Sequence, residues 1–547
     1  MSKKSLVLWV SLLLIALAAC QTPVPTPIPQ PTRAPVPVSA PSATAAQPVA
    51  PTPAPAGPIA VTILHTNDMH GYLEGDKLKG GDGVLFEFGG IANAMGTLVR
   101  LKRESGAPSL TLDGGDFWQG TYASNRDEGK AIVAAMNAVG YDALTLGNHD
   151  FDHGQAVLVA RAAEAGFPFL AANITEESTG TPPAWVKPYV IKTVAGIRFG
   201  IVGLANSGTP VISKASNSKG LKFVREADAL KQILPEVKAK SDLVIVLAHE
   251  GLDQDQILAA NVSGIDVIVS AHTHVEQRQP KVVNGTIIIH AGYKAQYVGR
   301  LDLKIDPATK KIVDYTRNDE VVPAVSTKAT PPKAVADSIA QLLADAREAI
   351  NRPVGETLID LNRVYTADGR STGEYPSGNL VVDAMLATNQ AGDRPADFAI
   401  YNNAGIRADI PKGPLTYGAL YNMVPFDNVL TAMDLKGEDI KAVLDVAVSC
   451  PRVNTLVAGM TFVYDCSKPS GSRVYDIKIQ GKPLDLQKVY RVQTIDYLAT
   501  GGDGQVGFTH GTNLAYGDPV IDVVADYVAK HSPVNPKVDG RIVQAGP

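Results

Sequence analysis

The stretch ILHTNDMHG, residues 63–71, decides the fold of this chain, because an apolar run passes there directly into polar residues. The run from Val61 to Leu64 is typical of a buried strand. Side chains two residues apart in an extended chain point to the same side, so Asp68 and His70 are placed to grip one cation. An Asp-x-His at a strand end is also common in ordinary turns. The metal hypothesis therefore depends on whether the pattern recurs.

The pattern does recur, since four more polar clusters follow predicted strands. These clusters are Gly114-Gly115-Asp116, Gly147 to Asp152, His249, and His272-Thr273-His274. Each has a plain structural alternative: a turn, a helix cap at Asn148, or a core histidine at His249. Five clusters that mix carboxylate, amide and imidazole at successive strand ends are difficult to explain as turns. Together they predict metal binding.

The strands and helices between the clusters predict the fold class. Apolar runs at 110–112, 143–146, 199–204, 243–248, 267–269 and 286–289 indicate buried strands. Helical patterns at 129–139 and 155–165 lie between some of them. Alternating strands and helices predict an α/β layered domain, with ligands gathered at the strand ends. Eight of the ten histidines fall between residues 59 and 330, so metal chemistry is expected in that part.

The length and the net charge of the chain bear on the number of domains and on the class of binding partner. A chain of 547 residues is too long for a single core and predicts two domains. Its net charge of −5 gives no overall positive potential that would attract a polyanion, which argues against a nucleic acid polymer as partner. A small phosphate ester needs only a local positive site.

The first twenty residues predict a signal peptide. Lys3 and Lys4 precede an apolar run, Leu6 to Ala19, that is too short to cross a bilayer comfortably. The run ends in LAAC, residues 17–20, which resembles the lipobox of bacterial lipoproteins. That resemblance implies a diacylglycerol on Cys20 and an extracytoplasmic, membrane-anchored protein at the cell surface or in the periplasm. A plain secretory signal that contains a cysteine is the alternative.

The remaining organisation follows from composition. Residues 21–58 are rich in Pro, Ala and Thr and predict an extended linker, on the order of 100 Å long at ~3.1 Å per residue. We expect one domain over 59–330, a connecting helix within 331–353, where Pro353 stops the helical pattern, and a second α/β domain over 354–547. Cys450 and Cys466 favour a disulfide outside the cytoplasm, with two free thiols as the alternative.

The ordered motifs resemble those of the calcineurin-like metallophosphoesterases. The phrases ILHTNDMHG (63–71) and GNHDFD (147–152) resemble the 5′-nucleotidase branch, over residues 60 to about 515. The resemblance implies a four-layered α/β domain, a connecting helix that acts as a hinge, and a substrate-binding domain. It also implies two divalent ions, with Zn, Mn, Co and Fe all compatible with mixed oxygen and imidazole ligands. One metal would be held by Asp68, His70 and His274, and the other by Asn148, His249 and His272. Asp116 would bridge the two metals. His149, paired with Asp152, would face the substrate phosphate.

The second half carries the implied substrate residues. YNNAGIRADI (401–410) resembles the family's Asn-Gly-Gly-Gly-Ile-Arg motif, so Asn402 would contact the base and Arg407 the phosphate. Family members sandwich a base between two aromatic rings, which here match Phe426 and Tyr497, and Asp503 matches an acid near the nucleoside. Arg370 stands where the family has further arginines, although Ala271 and the register around Arg370 depart from the usual pattern.

The resemblance implies a hydrolase that releases phosphate from nucleoside 5′-monophosphates and also cleaves UDP-sugars or other nucleotides. A 2′,3′-cyclic-nucleotide 2′-phosphodiesterase/3′-nucleotidase shares the metal motifs, and a thiosulfohydrolase is a more distant relative. A solute-binding lipoprotein is the alternative from another class. That alternative predicts ligand retention without turnover and no dense set of metal ligands.

Overall fold

Apolar runs form strands at the positions that the sequence predicts, to within two residues at either end. The run at 243–248, for example, is a fully buried strand, because six consecutive apolar residues suit a parallel strand covered on both faces. The computed structural model describes residues 57–81, 83–316, 321–363, 373–388 and 394–545. The predicted signal peptide, Cys20, nearly all of the linker and Arg370 lie outside the described residues. Within those residues, no helix has the length and apolar character needed to cross a membrane.

The N-terminal half contains seventeen strands and seven α-helices among its described residues. The strands are β1 (Ile59–Thr66), β2 (Asp76–Lys79), β3 (Leu85–Phe88), β4 (Ser109–Asp113), β5 (Ala143–Thr145), β6 (Phe169–Leu170), β7 (Ile174–Glu176), β8 (Tyr189–Val194), β9 (Ile197–Leu204), β10 (Leu221–Phe223), β11 (Leu243–Ala248), β12 (Val267–Ser270), β13 (Lys281–Val283), β14 (Thr286–Ile289), β15 (Tyr297–Ile305), β16 (Ile312–Tyr315) and β17 (Val321–Pro323). The helices are α1 (Ile91–Ser105), α2 (Tyr122–Arg126), α3 (Lys130–Val139), α4 (Gln155–Glu164), α5 (Thr209–Ile212), α6 (Glu226–Lys240) and α7 (Leu252–Asn261).

Two sheets pack face to face in this half. One has the order β16-β15-β1-β4-β5-β6, with β17 also paired to β15, and the other has the order β13-β14-β12-β11-β9-β8. The core between them is aliphatic, with Ile63, Leu112, Ile201 and Leu247 fully buried. Helices α1 and α3 cover the outer face of the first sheet, and α6 and α7 cover that of the second. The result is the expected four-layered α/β fold.

A connecting helix, α8 (Lys333–Asn351), follows this half and ends just before Pro353. Its buried residues Val335, Ile339 and Ala346 recur at helical spacing and join the core that contains α1 and α3. The helix α8 also contacts the C-terminal helix formed by Tyr417–Met423. This helix therefore packs against both halves.

The C-terminal half is a second α/β assembly. Its strands are β18 (Pro353–Thr357), β19 (Phe398–Tyr401), β20 (Gly413–Thr416), β21 (Val429–Lys436), β22 (Leu456–Ala458), β23 (Met460–Tyr464), β24 (Val474–Ile479), β25 (Lys482–Pro483), β26 (Val489–Ile495), β27 (Thr512–Pro519) and β28 (Ile542–Gln544). Its helices are α9 (Pro376–Ala387), α10 (Tyr417–Met423), α11 (Gly437–Ala447), α12 (Asp496–Ala499) and α13 (Val520–His531). The main sheet has the order β22-β19-β26-β21-β27, and a second has the order β25-β24-β23-β28.

The two remaining cysteines form the expected disulfide. Cys450 and Cys466 are bonded, with their Cα atoms 5.6 Å apart. The bridge links the loop after α11 to the residues that follow β23. It therefore lies in the C-terminal half, away from the histidine-rich strands.

Candidate active site

The strand-end clusters of the N-terminal half converge on one place. The loops after β1, β4, β11 and β12 bring six of the seven candidate metal ligands into two groups of three. Asp68, His70 and His274 form one group, and Asp116, His249 and His272 form the other. Within each group the potential ligand atoms lie within 4.8 Å of one another. Residues more than 200 positions apart meet here because the carboxyl ends of parallel strands share one edge of each sheet.

Asp116 belongs to the second group and also approaches the first. Its Oδ2 atom is 3.1 Å from His249 Nε2 and 3.8 Å from His70 Nε2, so one carboxylate contacts an imidazole of each group. Gly147 permits this approach, because a Cβ atom on it would come within 2.0 Å of Asp116 Oδ1. The geometry fits a carboxylate that bridges two cations.

Asn148, the seventh candidate, lines the same cavity. Asn148 is 2% exposed, and its Oδ1 atom accepts no hydrogen bond from the described residues. A buried amide oxygen without a partner is costly, and a cation would satisfy it. Carboxylate, amide and imidazole donors together suit a divalent transition metal. The residues present therefore fit a metal centre.

The protonation states agree with this fit. Burial lowers the pKa of His272 to about 3, so its imidazole is neutral, which is the form that binds metals. Burial raises the pKa of Asp68 to about 7, and a nearby cation would stabilise its ionised form. Burial acts to lower the pKa of His249, but the Asp116 carboxylate raises it to about 10. A proton on His249 thus supplies the positive charge that Asp116 requires, and a bound cation would replace it.

The backbone of the cluster is unusual. Asp68, His70, Asp116, His272 and His274 all have φ between 48° and 73°, in the left-handed region that non-glycine residues rarely adopt. Each such residue costs on the order of 1 kcal/mol, and such residues concentrate at functional sites. The surrounding structure holds these backbones in place, and their side chains meet as a result.

Asp150 is a positioning residue to which sequence reasoning assigned no separate role. Its carboxylate is buried and accepts hydrogen bonds from the backbone N–H groups of Asp116, Phe117 and Gly147, at 3.0, 3.1 and 2.8 Å. It therefore joins the loops after β4 and β5 and fixes the position of Asp116. The residue stands inside the GNHDFD stretch, but only its three buried partners reveal what it does.

His149 and Asp152 form the expected pair beside the cluster. The Nδ1 atom of His149 is 2.7 Å from Asp152 Oδ2, and the backbone N–H of His149 donates to Asp116 Oδ1 at 2.8 Å. The ring centroid of His149 is 5.4 Å from that of His70. We call the seven candidate metal ligands the metal cluster. A histidine held by a carboxylate next to this cluster is placed for proton transfer or charge stabilisation.

A cavity of about 1050 Å³ extends from this cluster into the C-terminal half. The described residues belong to one compact unit, and both halves line the cavity. Arg407 reaches the metal cluster, because its Nη2 atom lies 3.5 Å from His70 Nε2. The tertiary structure thus places a guanidinium from one half beside the histidines of the other.

The other candidate substrate residues line the same cavity. The Phe426 ring lies 5.5 Å from the His149 ring and 5.9 Å from the Arg407 guanidinium carbon. Tyr497 donates its hydroxyl hydrogen bond to Asp503 at 2.8 Å, and Asn402 donates to the other oxygen of Asp503 at 3.0 Å. The structure thus brings Asn402, Phe426, Tyr497 and Asp503 to the same cavity, and we call the part that they line the nucleoside end. A base sandwiched between Phe426 and Tyr497 stays a prediction, as does any role for Arg370.

Two contacts that no sequence motif indicates join the halves beside the cavity. Lys214 Nζ lies 2.8 Å from Asp496 Oδ2, and the Tyr497 hydroxyl lies 3.1 Å from the Val211 carbonyl oxygen. Lys214 and Val211 belong to a segment that also contacts the loop after β5, since the Ser213 hydroxyl donates to the Asn148 carbonyl at 2.8 Å. The segment links the two sides of the cavity.

Comparison with known proteins agrees with this architecture. Residues 61–276 match the family model described as calcineurin-like phosphoesterase, and residues 353–510 match that described as 5′-nucleotidase, C-terminal domain. The chain combines these two domains. It is therefore a metal-dependent phosphoric ester hydrolase with the two-domain fold of the 5′-nucleotidases.

Full-length relatives share both domains. The snake venom 5′-nucleotidase of Naja atra is 28% identical, over 89% of this chain and 99% of its own. The structure of a 5′-nucleotidase precursor from Thermus thermophilus superposes with a TM-score of 0.79 at 29% identity, over 89% of this chain and 99% of that one.

Other relatives are much longer than this chain. The trifunctional nucleotide phosphoesterase protein YfkN of Bacillus subtilis is 29% identical over 88% of this chain, but the match spans 35% of its own length. The match to endonuclease YhcR of the same organism spans 41%. The chain thus covers less than half of these two proteins.

Proposed function

We propose that this protein is an extracytoplasmic two-metal phosphohydrolase that releases phosphate from nucleoside 5′-monophosphates. The observation that carries the proposal is one cavity that both ligand triads reach through their histidines, and that the His149–Asp152 pair and the nucleoside end also line. A phosphate at the triads and a nucleoside toward Phe426 would occupy this cavity at the same time.

The metal cluster would act on the phosphoryl group. Two bound divalent ions would supply positive charge for the phosphoryl oxygens and activate water for in-line attack. Asp68, His70 and His274 would hold one ion, Asn148, His249 and His272 the other, and Asp116 both. Arg407, 3.5 Å from His70, would make a charge-assisted contact with a phosphoryl oxygen.

His149 would handle the leaving oxygen. As an imidazolium, His149 would donate from Nδ1 to Asp152 and from Nε2 to that oxygen, either transferring the Nε2 proton to it or stabilising its charge. Asp152 keeps the ring oriented, as a carboxylate does in other histidine pairs. The hydrogen bond from the His149 N–H to Asp116 fixes the pair relative to the metal ligands.

The cavity also suits nucleotides larger than a monophosphate. Its volume of about 1050 Å³ lies just above the range for small-molecule sites, ≈ 300–1,000 Å³. We therefore include UDP-sugars and related nucleotides among the proposed substrates.

The proposed location rests on the N-terminal sequence and on the disulfide. Disulfides persist mainly in oxidising compartments outside the cytoplasm, and a Cys450–Cys466 bridge is present. Lipid attachment at Cys20 would hold the protein at the membrane through the linker. Replacing Cys20 with alanine in the full chain should then move the protein from the membrane fraction to the soluble fraction. An unchanged distribution would contradict the lipid anchor.

The function is tested by phosphate release from a panel of substrates. The metal-supplemented protein is given the four nucleoside 5′-monophosphates, UDP-glucose, a 2′,3′-cyclic nucleotide and p-nitrophenyl phosphate. We expect higher kcat/KM for the 5′-monophosphates than for the aryl phosphate. Turnover of the aryl phosphate alone would contradict a nucleotide substrate, and a preference for the cyclic nucleotide would favour the phosphodiesterase alternative.

Asp116→Asn tests the bridging carboxylate. It should lower kcat by about 10²–10³-fold or more and reduce the bound metal measured by elemental analysis. Asp476→Asn is the matched control, because Asp476 is an exposed aspartate paired with Lys478, outside the cavity. Full activity and two ions per chain in Asp116→Asn would overturn the proposed centre.

A further inference from the structure

Asp503, the carboxylate at the nucleoside end, is held by three side chains. Its Oδ2 atom accepts hydrogen bonds from Asn402 Nδ2 at 3.0 Å and Asn454 Nδ2 at 2.9 Å, and its Oδ1 atom accepts one from the Tyr497 hydroxyl at 2.8 Å. Asn402 and Tyr497 stand in motifs that the sequence singles out. Asn454 does not, and no motif indicates it.

Asp503 stands in a tight turn and has an unusual backbone conformation. The residue has φ of 55° and lies between Gly501 and Gly504, which also have positive φ. Glycine adopts positive φ at little cost, which permits this tight turn. Backbone hydrogen bonds from Gly501 to Leu498 and from Gln505 to Gly502 close the turn, and the three side chains orient the carboxylate on it.

Asn454 connects this carboxylate to two other parts of the nucleoside end. Its Oδ1 atom accepts a hydrogen bond from the backbone N–H of Ala404, at 3.1 Å, in the turn after Asn402. Next to it, the carbonyl oxygen of Val453 accepts from Asn403 Nδ2 at 2.9 Å. One amide side chain thus holds the 402–405 turn and the Asp503 loop at a fixed separation.

The loop that carries Asn454 is itself tethered. We call residues 449–454 the tethered loop. Cys450 is bonded to Cys466, two residues beyond the end of β23, and the backbone N–H of Asn454 donates to the Ala447 carbonyl, at the end of α11, at 2.8 Å. A cross-link restricts the conformations that such a loop can reach. Arg452, Val453 and Asn454 all line the cavity.

We propose that Asn454 is a positioning residue for nucleotide binding, and that the Cys450–Cys466 bridge holds it in place. Asn454 orients Asp503 so that the carboxylate accepts hydrogen bonds from the sugar hydroxyls of a nucleoside. The proposal rests on the proposed function, because it concerns how the same cavity takes a nucleotide. It assigns the tethered loop to recognition of the nucleoside, with no part in the chemistry at the metals.

Two variants separate positioning from packing. Asn454→Ala removes both hydrogen bonds of the side chain. Asn454→Asp keeps the shape and the acceptor for Ala404 N–H, but it places a second carboxylate against Asp503. Asn137→Ala is the matched control, because Asn137 also accepts from one backbone N–H, that of Gly166, and donates to the carbonyl of Glu164, outside the cavity.

The measurement is steady-state kinetics on AMP and on p-nitrophenyl phosphate, which has no sugar. Asn454→Ala should raise KM for AMP about threefold to tenfold, with kcat for AMP and both constants for the aryl phosphate unchanged. Asn454→Asp should raise KM for AMP at least as much, since the two carboxylates repel. Asn137→Ala should resemble the wild type on both substrates.

The double variant Cys450→Ala/Cys466→Ala tests the tether in the full chain. It should also raise KM for AMP with little change for the aryl phosphate, together with a lower Tm. Wild-type KM for AMP in both Asn454 variants would overturn the positioning role. Equal losses on both substrates would show that the loop serves only general folding.

Failure of this inference differs from failure of the proposed function. If the wild-type protein does not turn over nucleotides, the proposed function is wrong. If the wild type prefers nucleotides but the Asn454 variants retain its KM for AMP, only the inference about Asn454 is wrong.

Discussion

The metal cluster and the nucleoside end share one cavity but are held in different ways. In the metal cluster, backbone groups fix the side chains: Asp150 binds three N–H groups, and Asp68 accepts from the N–H of His272 at 3.0 Å. At the nucleoside end, side chains hold one another, as Asn402, Asn454 and Tyr497 hold Asp503. Five of the seven candidate metal ligands are buried and His272 and His274 are half-buried, whereas Asp503, Asn454 and Phe426 at the nucleoside end are all half-buried.

The difference indicates how each region would respond to change. Backbone hydrogen bonds in a buried site leave few alternatives, so the metal cluster is pre-organised before any ligand arrives. Side-chain contacts in a partly exposed site can exchange for contacts with a substrate. We therefore expect substitutions in the metal cluster to affect catalysis on every substrate, and substitutions at the nucleoside end to affect nucleotides alone.

The largest effect among single positioning residues is expected for Asp150→Asn. An asparagine has one acceptor oxygen, so at least one of the three backbone N–H groups loses its partner. We expect metal affinity to fall about 10–100-fold, measured by calorimetric titration, because residues behind the ligands have effects of that size. The free energy of unfolding should also fall by about 1–3 kcal/mol.

Asp266→Asn is the control for this substitution. Asp266 also accepts a backbone hydrogen bond, from Val244 at 2.7 Å, but at the beginning of β11 and away from the metal ligands. Unchanged metal affinity in Asp150→Asn would mean that the three hydrogen bonds do not set the position of Asp116.

A smaller and more selective effect is expected for Phe426→Ala. Stacking of a base on an aromatic ring is worth about 1–3 kcal/mol, so kcat/KM for AMP should fall about tenfold. The value for p-nitrophenyl phosphate should change much less, and Phe426→Tyr should retain most of the activity on AMP. Equal losses on both substrates would indicate that Phe426 acts by holding the His149 ring, 5.5 Å away.

The smallest effect is expected for Lys214→Ala, which removes the ion pair between the halves. Lys214 is half exposed, and exposed pairs are worth about 0.2–1 kcal/mol, so kcat/KM for AMP should change by no more than about fivefold. The change should shrink as salt is added. Lys478→Ala removes an exposed pair away from the cavity and serves as the control. A loss of 100-fold would show that this contact controls how the halves come together.

The features that the sequence predicted correctly are those that depend on residues close together in the chain. Buried strands such as β11 are continuous apolar runs, and α8 shows helical spacing that ends before Pro353. The candidate ligands stand directly after such strands, so their identity and order were predictable. Lys214 and Asn454 were not assigned roles, because nothing within a few residues of them distinguishes them from surface polar residues. Asp150 stands inside a motif, but only its three hydrogen bonds to backbone N–H groups reveal its role.

The sequence alone determined the donor chemistry of the site: carboxylates, imidazoles and one amide at successive strand ends, with small and aromatic residues in the second half. The tertiary structure decided which of these groups meet. It placed Arg407 beside His70, 337 residues earlier, and Asn454 against Asp503, 49 residues later. Residue type fixes what a side chain can bind, but the packing of strands and loops fixes its neighbours, and hydrogen bonds and metal coordination act only over a few ångströms.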